Sequence, residues 1–374
     1  MKILIPTLLL LSSTVMAADL KFNAEGRFDY ANSTVKHEQV TTTNNYEEKR
    51  GEFTSNALRL NAVATFSENL LFRMRYRFST AQEAVTKNRD LSFQNVDFFY
   101  VDHKTEFLTA RLGKSNQADS LGREFYVAGT DYPTTFTTSY TSSNSAVYNA
   151  VKADADLYHV GATLMFNQIP NSTLSIAAFN PQKTTTYTDG AAATNDAKNS
   201  KFGLGFYYNG SFMEKMLQPT LGYTTFSIAP ETDTTAANTT EGTHKLMSVG
   251  IRSEIVGMVV DLDWKQYKKA NVAVVNATSN ADKTTSIWAN VAYTWDNLTP
   301  FVNYINDKYT KSADATVAYK RNAISAGLMI KPIKDLNFRY HLTYTNDVKK
   351  LDAATSGDKK VTANQIAAGI KFDI

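Results

Sequence analysis

Residues 70–79 read LLFRMRYRFS, and the fold turns on how that stretch is divided. Leu70, Phe72, Met74, Tyr76 and Phe78 occupy one set of alternate positions, and Leu71, Arg73, Arg75, Arg77 and Ser79 the other. A strand sends successive side chains to opposite faces, so one face is greasy and the other carries three guanidinium groups in a row. A helix would scatter those arginines around its circumference. Two environments suit such a strand: a soluble sheet with its basic face in water, or a wall with lipid on one side and water on the other.

The same alternation recurs along the whole chain. Ahead of this stretch, strands are expected at 20–30 and 53–66; behind it at 93–102, 107–114, 156–166, 173–179 and 201–209. They continue at 217–228, 244–254, 257–268, 284–294, 298–309, 319–330, 335–345 and 361–374. The apolar faces include Phe22, Phe28 and Tyr30 in the first strand, Leu58, Leu60 and Phe66 in the second, and Val96, Phe98 and Tyr100 in the fourth. Long polar connections (31–52, 82–90, 115–155, 181–200, 229–243, 269–283, 310–318 and 346–360) alternate with short turns (67–69, 103–105, 167–172, 210–216, 254–257, 295–297 and 331–334). About sixteen strands with two classes of connection in strict alternation match a transmembrane antiparallel β-barrel, with short periplasmic turns and long external loops. Lipid offers no hydrogen-bond partner, so strands can cross it only as a closed ring.

Composition and targeting agree with an exported barrel. Lys2, the apolar run from Ile3 to Leu11 and the small-residue end at Val15-Met16-Ala17 form a signal peptide over 1–17, with cleavage after Ala17 or Ala18. No later stretch approaches the roughly 20 apolar residues of a membrane helix. Cysteine is absent, so disulfides do not stabilise the exported chain. The 12% aromatic content suits lipid-facing surfaces, and the balance of 39 basic against 36 acidic residues gives no case for nucleic acid. No linker divides residues 18–374, which read as a single domain.

Chemistry is concentrated on the expected inner face. Alternation places Arg73, Arg75 and Arg77 inward on the third strand, Arg27 on the first, Arg59 on the second and Arg111 on the fifth, with Asp97 inward on the fourth. These form one basic wall of a lumen. The longest connection, 115–155, carries Asp119, Glu124, Asp131 and Asp154 against Lys114, Arg123 and Lys152. Hydrolase elbow, zinc-protease and P-loop patterns are all missing, and His37, His103, His159, His244 and His341 show no ligand spacing. No enzyme activity, metal or cofactor is expected.

The chain ends NQIAAGIKFDI, with Ile366, Ala368, Ile370, Phe372 and Ile374 on one face. This amphipathic terminal strand, and the stretch NVDFFYVDHKTEFLTARLGKSNQADSLGREF at 95–125, resemble the Gram-negative outer-membrane porin family. The resemblance implies that Phe372 and Ile374 act as the signal for the barrel-assembly machinery. It implies that 115–155 folds inward as a constriction loop, bringing Asp119, Glu124 or Asp131 toward the arginine strand. It further implies a homotrimer in the outer membrane that passes small hydrophilic solutes and ions by passive diffusion. The density of the arginine ladder leaves an anion- or solute-specific channel as an alternative, and a plugged structural or adhesive barrel as a third reading.

Overall fold

The computed structural model describes residues 19–41, 44–78, 95–116, 121–127, 144–155, 158–180, 202–228, 242–270, 281–311, 317–333, 336–352 and 357–374. The expected signal peptide and the connections 82–90 and 181–200 lie outside the described residues. Sixteen strands run in order: β1 (Asp19–Gln39), β2 (Tyr46–Ser67), β3 (Leu70–Arg77), β4 (Val96–Lys104), β5 (Leu108–Asn116), β6 (Tyr158–Phe166), β7 (Ser172–Phe179) and β8 (Gly203–Gly210). They continue with β9 (Gln218–Ile228), β10 (Gly242–Ile255), β11 (Met258–Ala270), β12 (Ala281–Tyr293), β13 (Leu298–Thr310), β14 (Val317–Ile330), β15 (Asn337–Leu351) and β16 (Asp358–Asp373). Two helices, α1 (Arg123–Val127) and α2 (Ala146–Ala155), interrupt the connection between β5 and β6.

Every strand pairs antiparallel with its sequence neighbours, and β16 returns to β1, so the sheet is a closed barrel. The seam carries fifteen paired positions, from Glu25 opposite Asp373 to Gln39 opposite Asp358. Ile374 extends it through its amide, which donates to the Ala24 carbonyl at 2.9 Å. Closure leaves no edge strand, which is the condition for a sheet in lipid. The alternation is plain on the tall side of the ring: Val302 and Tyr304 are exposed on β13, while Phe301, Asn303, Ile305 and Asp307 between and beside them are buried. Polar side chains inside and apolar ones outside reverse the order of a soluble protein, because water is in the lumen and lipid is outside.

Two expectations change. The stretch 31–52 is not a loop: β1 and β2 stay paired from Ala31 opposite Glu52 to His37 opposite Tyr46, and the His37 and Tyr46 rings stack at 4.1 Å. Beyond the lipid boundary a strand can carry polar residues on both faces, so the hydrophobic pattern fades before the ladder does. The same holds for 346–360, where β15 runs on to Leu351 and β16 starts at Asp358.

The second change concerns β4. Arg75 opposes Phe98 while Tyr76 opposes Val96, leaving Asp97 as the extra residue of a β-bulge. One inserted residue shifts the alternation by one place. Phe98 and Tyr100 therefore point into the lumen rather than to lipid, and Phe99 and Val101 are the exposed pair.

A ring whose backbone bonds are all internal opens only as a whole. The folded protein is expected to keep its form in cold SDS and to change its electrophoretic migration only after boiling. Circular dichroism dominated by helix would contradict the barrel.

Candidate functional site

The lumen has two chemically different walls. On the first, β1–β5, the bulge gathers arginines around one carboxylate. Asp97 receives Arg77 at 2.8 Å and Arg75 at 3.0 Å, and Arg59 lies 3.5 Å away. Arg59 also reaches Glu25 at 3.1 Å. Arg111 grips Asp102 through two bonds of 2.7 and 2.8 Å, and Arg27 pairs with Asp29 at 2.8 Å. Asp29 in turn meets His341 of β15.

The two aromatics turned inward by the bulge are platforms for these cations. Arg73 and Arg75 lie over the Phe98 ring at 4.7 and 4.0 Å, and Arg111 over Tyr100 at 3.9 Å. Stacking fixes each guanidinium plane and covers one of its faces while its edge stays free for hydrogen bonds. Arg73 donates to Asn61 at 3.3 Å and, among the described residues, has no carboxylate within ion-pair distance.

The wall extends across the seam. Lys371 stands directly opposite both Arg27 and Arg339, which puts three basic residues side by side on β1, β16 and β15. From the level of Asp102 up to that of Asp29, leaving aside the exposed Lys21–Asp19 pair and Lys104, eight bases (Arg27, Arg59, Arg73, Arg75, Arg77, Arg111, Arg339 and Lys371) share this wall with five acids (Glu25, Asp29, Asp97, Asp102 and Asp373); nearer the long connections the inner face carries both signs, with Arg50 and Glu48 paired at 3.4 Å. The difference of eight and five is an excess of three positive charges.

The second wall is β9–β14 with the described parts of the connection 115–155 docked on its inner face. Ser145 caps α2, accepting from the Tyr148 amide at 3.3 Å. The first amides of α2 donate to wall groups: Ala146 to Asp307 at 3.0 Å and Val147 to the Ser286 hydroxyl at 3.1 Å. A carboxylate at a helix N-terminus is favourably placed against the helix dipole. Arg321 ties the arrangement together, donating to Asp307 at 3.0 Å, Asp347 at 2.8 Å and the Asn144 carbonyl at 2.9 Å. Val147, Val151 and Leu121 bury themselves with Phe179, Phe226, Leu246 and Tyr267, while Val127 joins the group around Trp288.

Glu124 is at the centre of this docking, and its position corrects the expectation that it faces the arginine strand. It is fully buried on the opposite side, in an ion pair with Lys265 of β11 and accepting from the Ser145 amide and hydroxyl, both at 2.6 Å. Its own amide donates to Asp263 at 2.7 Å. Asp263 fits because Gly122 and Gly250 flank it: a Cβ at either position would collide with its carboxylate. Gly122 also has φ +76, a conformation that other residues rarely adopt. Asp119 and Asp131 lie outside the described residues, as does the Asp154 side chain.

Phe372 lies on the outer face of the seam, its ring covering Gly26 and stacked 6.4 Å from Phe28; Ile374 is exposed beside it. Lys265, Asp263, Asp307 and Arg321 were not singled out from sequence. The signal that could have found the first two is the alternation of Asp261, Asp263 and Lys265 with Leu262, Trp264 and Gln266, which makes them one face of a strand. Nothing local tied that face to a loop more than a hundred residues earlier.

The sequence matches no family model and no curated protein. The fold is shared with solved outer-membrane proteins. It is similar to the outer-membrane channel DcaP of Acinetobacter baumannii (TM-score 0.63, 11% identity, covering 96% of this chain and 98% of the other). It is also similar to OmpT of Vibrio cholerae (TM-score 0.59, 13% identity, 96% and 98%) and to OmpF of Salmonella typhi (TM-score 0.57, 14% identity, 95% and 97%).

Removing one member of a buried ion pair leaves the other charge uncompensated, a loss of about 3–5 kcal/mol. Lys265→Met is therefore expected to undock 121–127 and 144–155 without opening the barrel. Limited proteolysis should cut within 115–155 in the variant and spare the wild type, while resistance to cold SDS persists. Unchanged protection would show that Glu124 and Lys265 do not hold the loop.

Proposed function

We propose that this chain is an outer-membrane porin, a water-filled channel through which small hydrophilic solutes and ions diffuse passively. The observation that carries the reading is the lumen's division into a stacked basic wall on β1–β5, β15 and β16 and an opposite wall faced by the docked loop. Solutes pass between the two. The loop 115–155 is the constriction, and Arg59, Arg73, Arg75, Arg77, Arg111 and Arg27 line the path. With Glu124 neutralised by Lys265, the wall's excess positive charge is not answered by that acid, which favours anions over cations of equal size. This supports anion preference within a diffusion channel.

The same reading places the protein in the outer membrane of a Gram-negative bacterium, exported by the signal peptide over 1–17 and inserted by the barrel-assembly machinery through its terminal strand with Phe372 and Ile374. It takes the protein to be a homotrimer. The outer face of β3–β8 exposes Phe99, Val101, Leu112, Leu164, Ile176 and Leu204, an apolar surface suited to contact between copies. No chemistry on bound solutes is part of this function.

The triple change Arg73→Ser, Arg75→Ser and Arg77→Ser removes three charges and much volume from one wall. In planar bilayers the single-channel conductance is expected to rise and the reversal potential in a salt gradient to move toward cations. The effect should be clearest in dilute salt, where the Debye length reaches about 30 Å at 0.01 M. An unmoved reversal potential would take these arginines out of the permeation path, and absence of conductance in the wild type would refute the channel itself.

A further inference from the structure

The bulge at Asp97 gathers arginines, and it also puts an aromatic ring where the two walls of the lumen meet. Phe98 of β4 packs against the buried group that contains Leu121, Val147 and Val151, and so do Phe125 of α1 and Tyr148 of α2. The Phe125 and Tyr148 rings stack on each other with centroids 6.1 Å apart. Phe98, Phe125 and Tyr148 are all half-buried, so the arginine wall and the docked connection share one aromatic lining at their meeting place. Re-aiming a side chain in this way is a common use of a bulge beside a binding site.

Cations stand on the same lining. Arg73 and Arg75 lie over the Phe98 ring at 4.7 and 4.0 Å. Their circumstances differ. Arg75 is held by Asp97 at 3.0 Å, a carboxylate that Arg77 and Arg59 share. Arg73 donates to the Asn61 side chain at 3.3 Å, and its buried Nε has no hydrogen-bond partner among the described residues. A guanidinium carries five N–H donors in a planar fork that matches a carboxylate. A buried donor left over beside aromatic rings calls for an acceptor.

The rings narrow the class of that acceptor. A small inorganic anion gains nothing from them, because an apolar rim removes its water and offers no replacement. A sugar can lie on the rings but brings no charge for Arg73. A flat ring bearing a carboxylate uses both features: the carboxylate meets the fork of Arg73, and ring-on-ring contact adds to simple burial. We propose that the constriction holds a binding site for small aromatic carboxylates, the benzoate class of acid. Arg73 takes the carboxylate, and Phe98, Phe125 and Tyr148 take the ring. The inference rests on the porin reading for the place of the connection in the solute path; binding itself needs no conduction.

Ligand-observed NMR titration of the full-length mature protein in detergent tests it. The probes are benzoate, cyclohexanecarboxylate (the same charge and nearly the same size, without an aromatic face) and benzamide (the same ring, without the charge). Wild type is expected to bind benzoate about fivefold more tightly than cyclohexanecarboxylate, the gain from aromatic contact. The margin over benzamide is expected to be on the order of tenfold, the gain from a charge-assisted pair. Phe125→Leu together with Tyr148→Leu keeps apolar side chains in place and should erase the first margin. Arg73→Gln should erase the second, and Arg73→Lys should keep most of it. Equal binding of the three solutes by wild type would overturn the proposal, as would undiminished margins in the folded variants. Protease protection of 115–155 reports whether the leucine variant keeps its loop docked; if it does not, the three solutes on wild type and on Arg73→Gln still decide. Conductance of the same preparations is read separately. A protein that binds benzoate without conducting keeps the site and loses the channel, and one that conducts without discriminating loses the site alone.

Discussion

The backbone hydrogen bond is the constraint on which everything else in this protein depends. An amide or carbonyl left unpaired in hydrocarbon costs several kcal/mol, so a sheet in lipid has to close on itself. Here closure falls to the first and last strands, with fifteen paired positions, a register shift only between Glu38 and Gln39, and the final residue bonded to Ala24. Once the ring is closed, each strand has a wet side and a greasy side, and every functional feature follows from which side a residue occupies.

Charge inside the ring is handled in two ways. On the β1–β5 side, bases outnumber acids, and aromatic platforms under Arg73, Arg75 and Arg111 hold the guanidinium groups beside the ion pairs that Arg75 makes with Asp97 and Arg111 with Asp102. On the β9–β14 side, charges are matched and buried: Glu124 with Lys265, and Arg321 with Asp307 and Asp347. Matched, buried pairs fix a structure, and here they fix a loop. On the first wall one carboxylate, Asp97, meets Arg59, Arg75 and Arg77 together, so the positive charge is only partly answered. The same residue types thus fasten a loop on one wall and leave a surplus of positive charge on the other, according to burial and partners.

On the outside of β13–β16, the order toward the long connections is apolar (Val302, Leu342, Ile366), then amide and phenol (Tyr304, Asn322, Tyr344, Asn364), then lysine (Lys308, Lys320, Lys350, Lys360). Lipid of graded polarity selects a graded surface. The exposed lysines Lys245, Lys268, Lys283, Lys308, Lys320 and Lys350 lie on β10–β15, and the exposed apolar side chains Phe99, Val101, Leu112, Leu164, Ile176 and Leu204 on β4–β8, so the circumference is divided in its charge.

The sequence by itself determined the ring: the period-two pattern, the alternation of long and short connections and the amphipathic last strand fix a sixteen-strand barrel, because facing lipid on one side and water on the other leaves its mark at every residue. It also assigned Arg27, Arg59, Arg73, Arg75, Arg77 and Arg111 to the inner face, since parity is a local property. Parity was misread where it is not local. The bulge at Asp97 is set by pairing with Arg75 and Tyr76, and it turned Phe98 and Tyr100 from the lipid side to the lumen. The ends of β1, β2, β15 and β16 were missed because strands in water carry no hydrophobic alternation. Only the tertiary structure decided that Glu124 docks on Lys265 across the lumen from the arginines. A buried ion pair between residues 141 positions apart depends on where the chain brings them together, and no single stretch of sequence records that meeting.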